Sequence, residues 1–314
     1  MKRLLFAISI LIFACGCASE NSSSGLWRHA EKCPADTTTH YHRIILQSVV
    51  HASLFHELGA LDHVVGLFEM DAVTDSVLKA ALRRQGVVDL GSSVTPQLEK
   101  IVSLKPDALF LSPLENGGFG ALEKCHVPIV ECADYMETTP LGRAEWMRWL
   151  GRLVECGQKA DSLFASVETQ YASLKKDTQK QTLLVDFPQF GSWYVPGGKS
   201  YLAQLYADAG YKYVFADNES EGSAPMTFEA VYQKAKSADV WIVKYGSPND
   251  YTKDDLLQID SRLSAFAAFE NGRLWGCNTY RVPYYELTPF HPERLLKDLL
   301  EITTSDGYFY KRLK

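Results

Sequence analysis

The chain has 314 residues, of which 46% are hydrophobic and 22% are charged, and its formal net charge is −6 at pH 7. This composition supports a globular protein with a substantial core, and the length favours two lobes over one. The negative charge and the lack of a basic stripe argue against a nucleic-acid partner. No apolar run approaches the roughly 20 residues of a membrane-spanning helix.

The N-terminus has the pattern of an export signal. Lys2 and Arg3 precede a short apolar stretch over residues 4–14, which ends in "FACGCAS". This ending resembles the lipobox of bacterial lipoproteins, in which a cysteine is lipidated. Cys17 fits that pattern better than Cys15, and an ordinary signal peptide is the alternative. We therefore expect a lipoprotein signal peptide over residues 1–17 and a flexible tether over residues 18–40, which are rich in Ser, Thr, Asn and charge.

From residue 41 the chain alternates between strand-like runs and short amphipathic helices. "RIILQSVV" predicts a strand, "HASLFHELGALD" a helix that ends at Gly59, and "HVVGLF" a second strand. "DSVLKAALRRQG" and "VVDLG" repeat the pattern. Strands that alternate with helices of about 8 to 12 residues predict a mainly parallel sheet with helical crossovers. We expect an N-terminal α/β lobe over residues 41–137.

Residues 138–178 interrupt this alternation. Between residues 141 and 176 apolar residues recur at helical spacing, and Gly151 and Gly157 offer points of bending. At 1.5 Å per residue such a helix would span roughly 50 Å, more than either lobe needs. The pattern predicts a single long α-helix that joins two lobes.

The alternation resumes after the predicted linker. "TLLVDF", "YKYVFA" and "ADVWIVKY" predict strands, and "SYLAQLYADAG" and "PERLLKDLLEI" predict helices. We expect a C-terminal α/β lobe over residues 179–302, followed by a tail over residues 303–314.

Two segments on opposite sides of the linker resemble each other. "QLEKIVSLKPDALFLS" aligns with "TFEAVYQKAKSADVWIVKY", so that Glu99 matches Glu229 and Asp107 matches Asp239 when the second copy carries two extra residues. Each copy places an acid in the first turn of a short helix and an aspartate before a buried strand. The match predicts two related lobes.

At this point the sequence resembles a known family, the substrate-binding proteins of ABC importers. The resemblance rests on the lipobox, the two α/β regions around one helix, and the Pro–x–Leu–Glu segment, and it covers about residues 41–302. It implies a class III binding-protein fold, which is α/β with two Rossmann-like lobes joined by a single long α-helix. The branch that it resembles carries ferric siderophores, haem or cobalamin.

The resemblance also implies function and partners. The expected protein is an extracytoplasmic lipoprotein, anchored in the bacterial cell envelope only by its lipid, that captures an iron chelate between two lobes. Cobalamin is the alternative ligand. No cofactor of its own is implied. The implied partners are an ABC permease dimer with its ATPase subunits, and we expect the binding protein to be a monomer.

Glu99 and Glu229 are the expected contacts with the permease. In the family the matching acids lie on the outer tips of the lobes and form salt bridges with arginines of the two permease subunits. The alternative is that each acid only stabilises the positive end of its helix, by roughly 0.3–1 kcal/mol.

The expected ligand site lies where the carboxyl ends of the strands face each other across a cleft. Aromatic residues are frequent after the strands of the second lobe, as in "NTYRVPYYE", and aromatic walls suit bulky chelates. The candidates from the first lobe are His51, Met70, Ser93 and Glu115. Those from the second lobe are Trp193, Tyr194, Tyr245, Tyr280, Arg281, Tyr284 and Tyr285.

Two other classes of function compete with this interpretation. A protein that binds free zinc or manganese ions could use His40 and His42 in "HYHR", or His51 and His56. Such a site needs three or four converging ligands at about 2 Å, so we interpret these as surface histidines and expect no metal site. An enzyme is not expected either, because "GGKS" lacks the rest of a phosphate-binding loop and no GxSxG or HExxH motif is present.

Overall fold

The computed structural model describes residues 39–114, 118–189 and 191–314. The expected signal peptide, the expected lipidation site Cys17 and most of the expected tether lie outside the described residues, and so does Glu115. Among the described residues, no helix combines the length and the apolar character that crossing a membrane requires.

The N-terminal lobe contains a five-stranded sheet in which every pairing is parallel. The strands follow the order β3-β2-β1-β4-β5. Their bounds are β1 (Ile44–Leu46), β2 (Val64–Leu67), β3 (Val88–Asp89), β4 (Ala108–Leu111) and β5 (Ile129–Glu131), and the helices between them are α1 (Val49–Leu58), α2 (Ser76–Gln85) and α3 (Leu98–Ser103).

Helices α1 and α2 begin and end at residues of the types that are typical of helix caps. Ser48 and Asp75 cap them, since each side chain accepts a hydrogen bond from a backbone N–H of the first turn. Gly59 and Gly86 end them in the left-handed conformation, at φ 74° and 71°. The apolar runs between the helices are strands covered on both faces, as in other parallel sheets.

The C-terminal lobe contains a second five-stranded sheet, with the order β12-β11-β10-β6-β8. Only β12 is antiparallel to its neighbour in this sheet. The strands are β6 (Gln181–Val185), β8 (Tyr211–Tyr213), β10 (Val240–Tyr245), β11 (Leu274–Asn278) and β12 (Lys311–Arg312), and β7 (Trp193–Pro196) and β9 (Ser223–Met226) form a separate antiparallel pair. The helices are α6 (Tyr201–Asp208), α7 (Phe228–Ala235), α8 (Lys253–Ile259), α9 (Ala267–Glu270), α10 (Tyr284–Leu287) and α11 (Pro292–Glu301).

The predicted fold class, α/β with mainly parallel sheets, is confirmed, but the linker is not one long helix. It consists of α4 (Pro140–Leu153) and α5 (Gly157–Leu174). The two helices pack closely because residue 151 is a glycine: a Cβ there would lie 2.5 Å from the Cβ of Ala160. Asp161 then accepts hydrogen bonds from Arg148 and Arg152 across the bend, at 2.8 Å and 2.9 Å. Gly151 therefore allows α5 to pack back against α4, rather than only bending one continuous helix.

Each lobe has its own hydrophobic core, and two segments extend these cores beyond the predicted bounds. Phe309, Tyr310 and Leu313 are buried in the C-terminal core, so the last residues are part of that lobe rather than a tail. Phe290 follows α10 in the C-terminal half, yet it is buried in the N-terminal core with 2% of its surface exposed. Packing of apolar side chains thus connects the lobes independently of the linker.

Asp107 and Asp239, the two matched aspartates, have the same role in their lobes. The Asp107 carboxylate accepts from the backbone N–H groups of His42 and Arg43, at 2.7 Å and 3.1 Å, just before β1. The Asp239 carboxylate accepts from the backbone N–H and hydroxyl of Thr182 in β6, at 2.8 Å and 2.7 Å. Each aspartate therefore joins the start of one central strand to the start of the next, β1 to β4 and β6 to β10.

Candidate functional site

Both five-stranded sheets reverse their winding direction at one point. The chain adds strands on one side of β1 before it crosses to β4, and on one side of β6 before it crosses to β10. Ligands of open α/β sheets bind in the crevice at the carboxyl ends of the strands beside such a switch point. The residues there are Gln47 and Ser112 in the N-terminal lobe, and Asp186 and Lys244 in the C-terminal lobe.

The two switch points have the same hydrogen-bonding pattern. Gln47 Oε1 accepts from the backbone N–H of Ser112 at 2.7 Å, and Asp186 Oδ1 accepts from the backbone N–H of Lys244 at 3.3 Å. The backbone N–H groups of Gln47 and Asp186 also donate to equivalent carbonyls of the neighbouring strand, at 3.0 Å and 2.8 Å. Asp186 and Lys244 are thus the counterparts of Gln47 and Ser112.

A charged pair occupies the C-terminal switch point. Lys244 Nζ lies 2.7 Å and 2.8 Å from the two carboxylate oxygens of Asp186, and only 13% and 15% of the two side chains are exposed. Burial alone would lower the pKa of Lys244, but the adjacent Asp186 carboxylate outweighs burial and the pKa is raised. Lys244 therefore stays protonated, and the pair presents opposite charges within a largely dehydrated wall.

Aromatic and apolar side chains surround this pair. Asp186 and Lys244 line a concavity of about 460 Å³, and the aromatic and apolar residues that line it with them include Phe187, Tyr194, Leu202 and Tyr285. A mostly apolar concavity with a few fixed polar groups is typical of sites for small organic ligands. We name this surface the C-lobe concavity.

A smaller concavity of about 170 Å³ lies at the N-terminal switch point. It is lined by Gln47 and Ser112 and by Ser93, whose backbone N–H donates to Glu69 Oε1 at 3.0 Å. Its apolar members include Val94, Leu114 and Phe119. We name this surface the N-lobe concavity.

A buried polar chain crosses the seam between the lobes. Asp134 lies at its centre, with Oδ1 3.0 Å from His51 Nε2 and Oδ2 accepting from Arg143 Nε at 3.0 Å. The Arg143 guanidinium lies over the ring of Tyr201, 4.9 Å from its centre. Although burial would raise the pKa of Asp134, Arg143 and His51 hold it below its ordinary value.

The residues next to this buried polar chain lie beside both concavities, so both concavities border the same seam between the lobes. Tyr135, next to Asp134, donates its hydroxyl to the carbonyl of Pro113 beside the N-lobe concavity, at 2.9 Å. Tyr201 is followed by Leu202, which lines the C-lobe concavity. Glu286, next to Tyr285, also crosses the seam and accepts from the backbone N–H and hydroxyl of Thr74 at 2.5 Å and 2.6 Å.

Three of the predicted ligand residues line these surfaces. Tyr194 and Tyr285 lie together in the C-lobe concavity, and Ser93 lies in the N-lobe concavity. Tyr280 is exposed. Its ring packs against Gly246, the residue after β10, which places it near the same edge of the C-terminal sheet. Met70 is half-buried against the N-terminal core.

The other predicted ligand residues lie elsewhere. His51 is buried against Asp134, and Tyr284 is buried in the C-terminal core. Trp193 is fully buried, stacks on Trp241 and donates its indole N–H to the carbonyl of Val185 at 3.0 Å, which corrects its assignment to the cleft. Tyr245 and Arg281 line a separate concavity of about 430 Å³ against the C-terminal strand.

Three of the four switch-point residues, Gln47, Asp186 and Lys244, are not among the ligand residues that the sequence predicts. Asp186 directly follows an apolar strand in "TLLVDF", and a charged residue at that position was a usable signal. Lys244 lies inside the apolar run "VWIVKY", where the sequence does not show which strand it faces. Only the register between β6 and β10 brings it to Asp186.

Glu99 and Glu229 both lie in the first turn of their helices, α3 and α7, and both are exposed. Glu229 Oε1 accepts from Arg262 Nη1 at 3.1 Å, and the same guanidinium lies 3.9 Å from the centre of the Phe228 ring. The two acids thus occupy matched positions in the two lobes, and one has an intramolecular cation beside it.

Comparison with known sequences identifies a family. The sequence model of the family described as periplasmic binding protein matches residues 50–279. Two uncharacterised lipoproteins of Methanocaldococcus jannaschii are 27% identical over 241 residues and 30% identical over 230 residues. These matches cover 74% and 69% of this chain but only 56% and 59% of the relatives. The chain therefore spans under three fifths of the length of these relatives.

Comparison with solved structures agrees at the level of the fold. A periplasmic binding protein from Veillonella parvula matches with a TM-score of 0.66 and 18% identity, over 84% of this chain and 91% of that one. An ABC-type Fe³⁺-hydroxamate transport protein from Saccharomonospora viridis has a TM-score of 0.64, 23% identity and coverages of 84% and 93%. A periplasmic haem-binding protein from Pseudomonas aeruginosa has a TM-score of 0.60, 17% identity and coverages of 83% and 92%.

Proposed function

Because this chain belongs to the periplasmic binding protein family, we propose that it is the extracytoplasmic solute-binding protein of an ABC importer. Its cargo is a bulky iron chelate, a ferric siderophore or haem, which it binds between its two lobes and delivers to the permease. The protein binds and releases this cargo without reacting with it.

The observation that carries the proposal is the pair of concavities at matched switch points on one seam. A ligand in the seam would touch the amide and hydroxyls of Gln47, Ser93 and Ser112 on one side. On the other side it would meet the rings of Tyr194 and Tyr285 around the Asp186–Lys244 pair. Aromatic faces suit flat or greasy chelates, and the fixed charges suit their polar edges.

The fold neighbours support the choice of chelate class. Their descriptions include Fe³⁺-hydroxamate transport and haem binding, and each of these ligands is an iron complex with a large organic frame. Cobalamin, the alternative ligand in the sequence analysis, is also a bulky metal chelate and enters the test as a competing ligand.

The same proposal includes the membrane and the permease. Lipidation at Cys17 would hold the protein near its transporter and raise the effective concentration of loaded protein there. The matched helix ends with Glu99 and Glu229 would then offer one carboxylate per lobe to two permease subunits. Two fixed charges give orientation and salt-sensitive steering even though each exposed pair is weak.

A ligand panel tests the proposal. Ferrioxamine B, a ferric catecholate, haemin and cyanocobalamin are titrated into the untagged protein, with tryptophan quenching and visible absorbance as readouts. Trp193 and Trp241 stack beneath the C-lobe concavity and should report its occupation. We expect one iron chelate to bind with 1:1 stoichiometry. Binding of cyanocobalamin alone would replace the iron chelate with the alternative cargo, and a lack of response to all four would overturn the proposal.

A further inference from the structure

Two histidines and a glutamate meet on the opposite side of the N-terminal lobe from the cleft. His42 lies just before β1, His63 is the last residue of the short helix before β2, and Glu155 lies in the break between α4 and α5. One ligand atom from each residue falls within 4.8 Å of the other two. Because His42 and His63 precede their strands, this cluster lies at the amino ends of the strands, whereas the N-lobe concavity lies at their carboxyl ends.

His63 is already oriented as a metal ligand. Its Nδ1 lies 2.8 Å from the backbone carbonyl of Tyr41, and a carbonyl can only accept a hydrogen bond. The proton of the neutral ring is therefore on Nδ1, and the lone pair is on Nε2. A histidine ligand of this kind almost always donates its other N–H to a carbonyl or carboxylate, which fixes the tautomer and the ring.

The distances fit a small cation after minor side-chain movement. Two ligands at the usual 2.0–2.1 Å from zinc, with a tetrahedral angle between them, stand about 3.4 Å apart. His42 Nδ1 and Glu155 Oε2 are 3.7 Å apart, and both side chains are exposed. The ring of His42 stacks on that of His63, with 5.5 Å between the ring centres. Asp62 Oδ1 lies 3.9 Å from His63 Nε2, close enough to supply a fourth ligand or to orient a bound water.

The chain around Glu155 favours this use of the side chain. Glu155 has φ 58°, a left-handed conformation that glycine adopts far more readily than glutamate. Strain of this kind tends to be retained where the residue has a role. The adjacent Arg152 directs its guanidinium to Asp161, at 2.9 Å and 3.0 Å, rather than to Glu155. The Glu155 carboxylate lies beside the two histidines instead.

We infer that His42, His63 and Glu155 form a binding site for a divalent transition-metal ion, of which zinc is the type. Two imidazoles and one carboxylate form a donor set that zinc, cobalt and nickel accept, and the fourth position is open to water or Asp62. This ion is separate from the cargo in the cleft. It would join the amino ends of β1 and β2 to the bend of the linker, where the chain has its helix break.

Cobalt is the probe that reads the geometry directly. The untagged protein, freed of metal with EDTA, is titrated with Co²⁺, and we expect one equivalent to bind with the intense visible absorption of a tetrahedral site. Zn²⁺ should displace it stoichiometrically. Zn²⁺ should also raise the melting temperature of the EDTA-treated protein. These readouts require no knowledge of the cargo.

Three variants test the ligand assignment, and one serves as a control. His63→Ala, Glu155→Gln and His42→Ala should each weaken Co²⁺ binding by at least about tenfold. The His42 side chain is exposed and its ring contacts that of His63. His126→Asn is the control, because asparagine tolerates the left-handed backbone of this exposed histidine at φ 53°. Unchanged Co²⁺ binding in His42→Ala and Glu155→Gln, or no bound Co²⁺ in the parent protein, would overturn the inference.

Discussion

The ring of His291 donates a hydrogen bond from Nε2 to Glu57 Oε2 at 2.6 Å, and so connects α1 with the residue before α11, 234 positions away. Its Nδ1 lies 3.0 Å from Glu293 Oε1. An imidazolium, with both ring nitrogens protonated, donates to both carboxylates when these are ionised, so this environment favours the charged form of His291. Burial alone would lower the pKa of His291, but Glu293 and Glu57 outweigh it and the pKa is raised.

This contact predicts a pH-dependent part of the stability. Because the pKa of His291 is raised from 6.5, its contribution is fully present below about pH 6.5 and is lost as pH rises through the folded-state value. Burial would raise the pKa of Glu57, but hydrogen bonding and charge from His291 outweigh burial and lower this pKa from 4.5. The contribution of Glu57 to stability is therefore lost as pH falls through its lowered folded-state pKa. The parent protein should exceed His291→Gln in stability most clearly between about pH 4.5 and 6.5.

Urea midpoints of the two proteins at pH 5.5 and 9 measure this difference. His126→Asn, which removes a histidine with no such contact, should follow the parent at both values. A parent–variant difference that is the same at pH 5.5 and pH 9 would rule out the imidazolium as its source.

Tyr194 and Tyr285 should contribute to cargo affinity. Each exposes about half of its side chain in the C-lobe concavity, at 53% and 52%. Tyr194→Ala or Tyr285→Ala should weaken chelate binding roughly tenfold through lost ring contact. Tyr308→Ala removes a tyrosine of similar exposure, 58%, outside that concavity, and should bind like the parent. Equal affinities for all four proteins in a fluorescence titration would place the cargo elsewhere.

Glu99 and Glu229 should affect transport but not binding. Glu99→Ala with Glu229→Ala should abolish chelate uptake in cells that carry the importer, because docking would lose one anchor per lobe. The affinity for the chelate should stay at the parent value, since both acids lie on helix ends away from the concavities. Glu168→Ala, which removes an exposed acid of α5, is the matched control. Lost chelate affinity in the double variant would count against docking.

The Asp186–Lys244 pair should show the asymmetry of buried charges. Lys244→Met leaves the Asp186 carboxylate, whose side chain is 15% exposed, without its cation. Because breaking a buried ion pair typically costs about 3–5 kcal/mol, we expect the unfolding free energy to fall by about 3 kcal/mol. Asp186→Asn combined with Lys244→Met removes both charges and should recover part of that loss. Asparagine also tolerates the left-handed backbone of residue 186, at φ 57°. Urea unfolding of both variants measures the difference, and a double variant no more stable than the single one would contradict it.

The sequence was most informative where local and long-range signals agreed. Capped helices such as α1 can be predicted directly, because each cap depends on a few neighbouring residues. The aspartates Asp107 and Asp239 can be matched by their place in two similar segments, but their bonds reach residues 64 and 57 positions away and need the structure. The prediction of one long linker helix is wrong because helical periodicity alone does not distinguish one bent helix from two packed helices. Gly151 could have marked a bend, but it instead allows Ala160 of the following helix to pack against it.

The ligand residues were harder to predict for a physical reason. Trp193 and Tyr194 are adjacent on β7, so their side chains point to opposite faces. Aromatic content alone could not tell that only Tyr194 faces the concavity. Lys244 and Gln47 depend on strand pairing between segments some 60 residues apart, at 58 positions for Asp186–Lys244 and 65 for Gln47–Ser112.

The burial of Phe290 in the N-terminal core has a consequence for how the chain acquires its structure. The core around α1 and α4 is incomplete until a residue near the far end of the polypeptide arrives, although its own sheet is finished by residue 131. A chain that emerges from its N-terminus onward would expose this unfilled apolar surface until nearly all of it is available. The N-terminal lobe should therefore complete its folding late, with the C-terminal lobe, and not as an independent unit ahead of it.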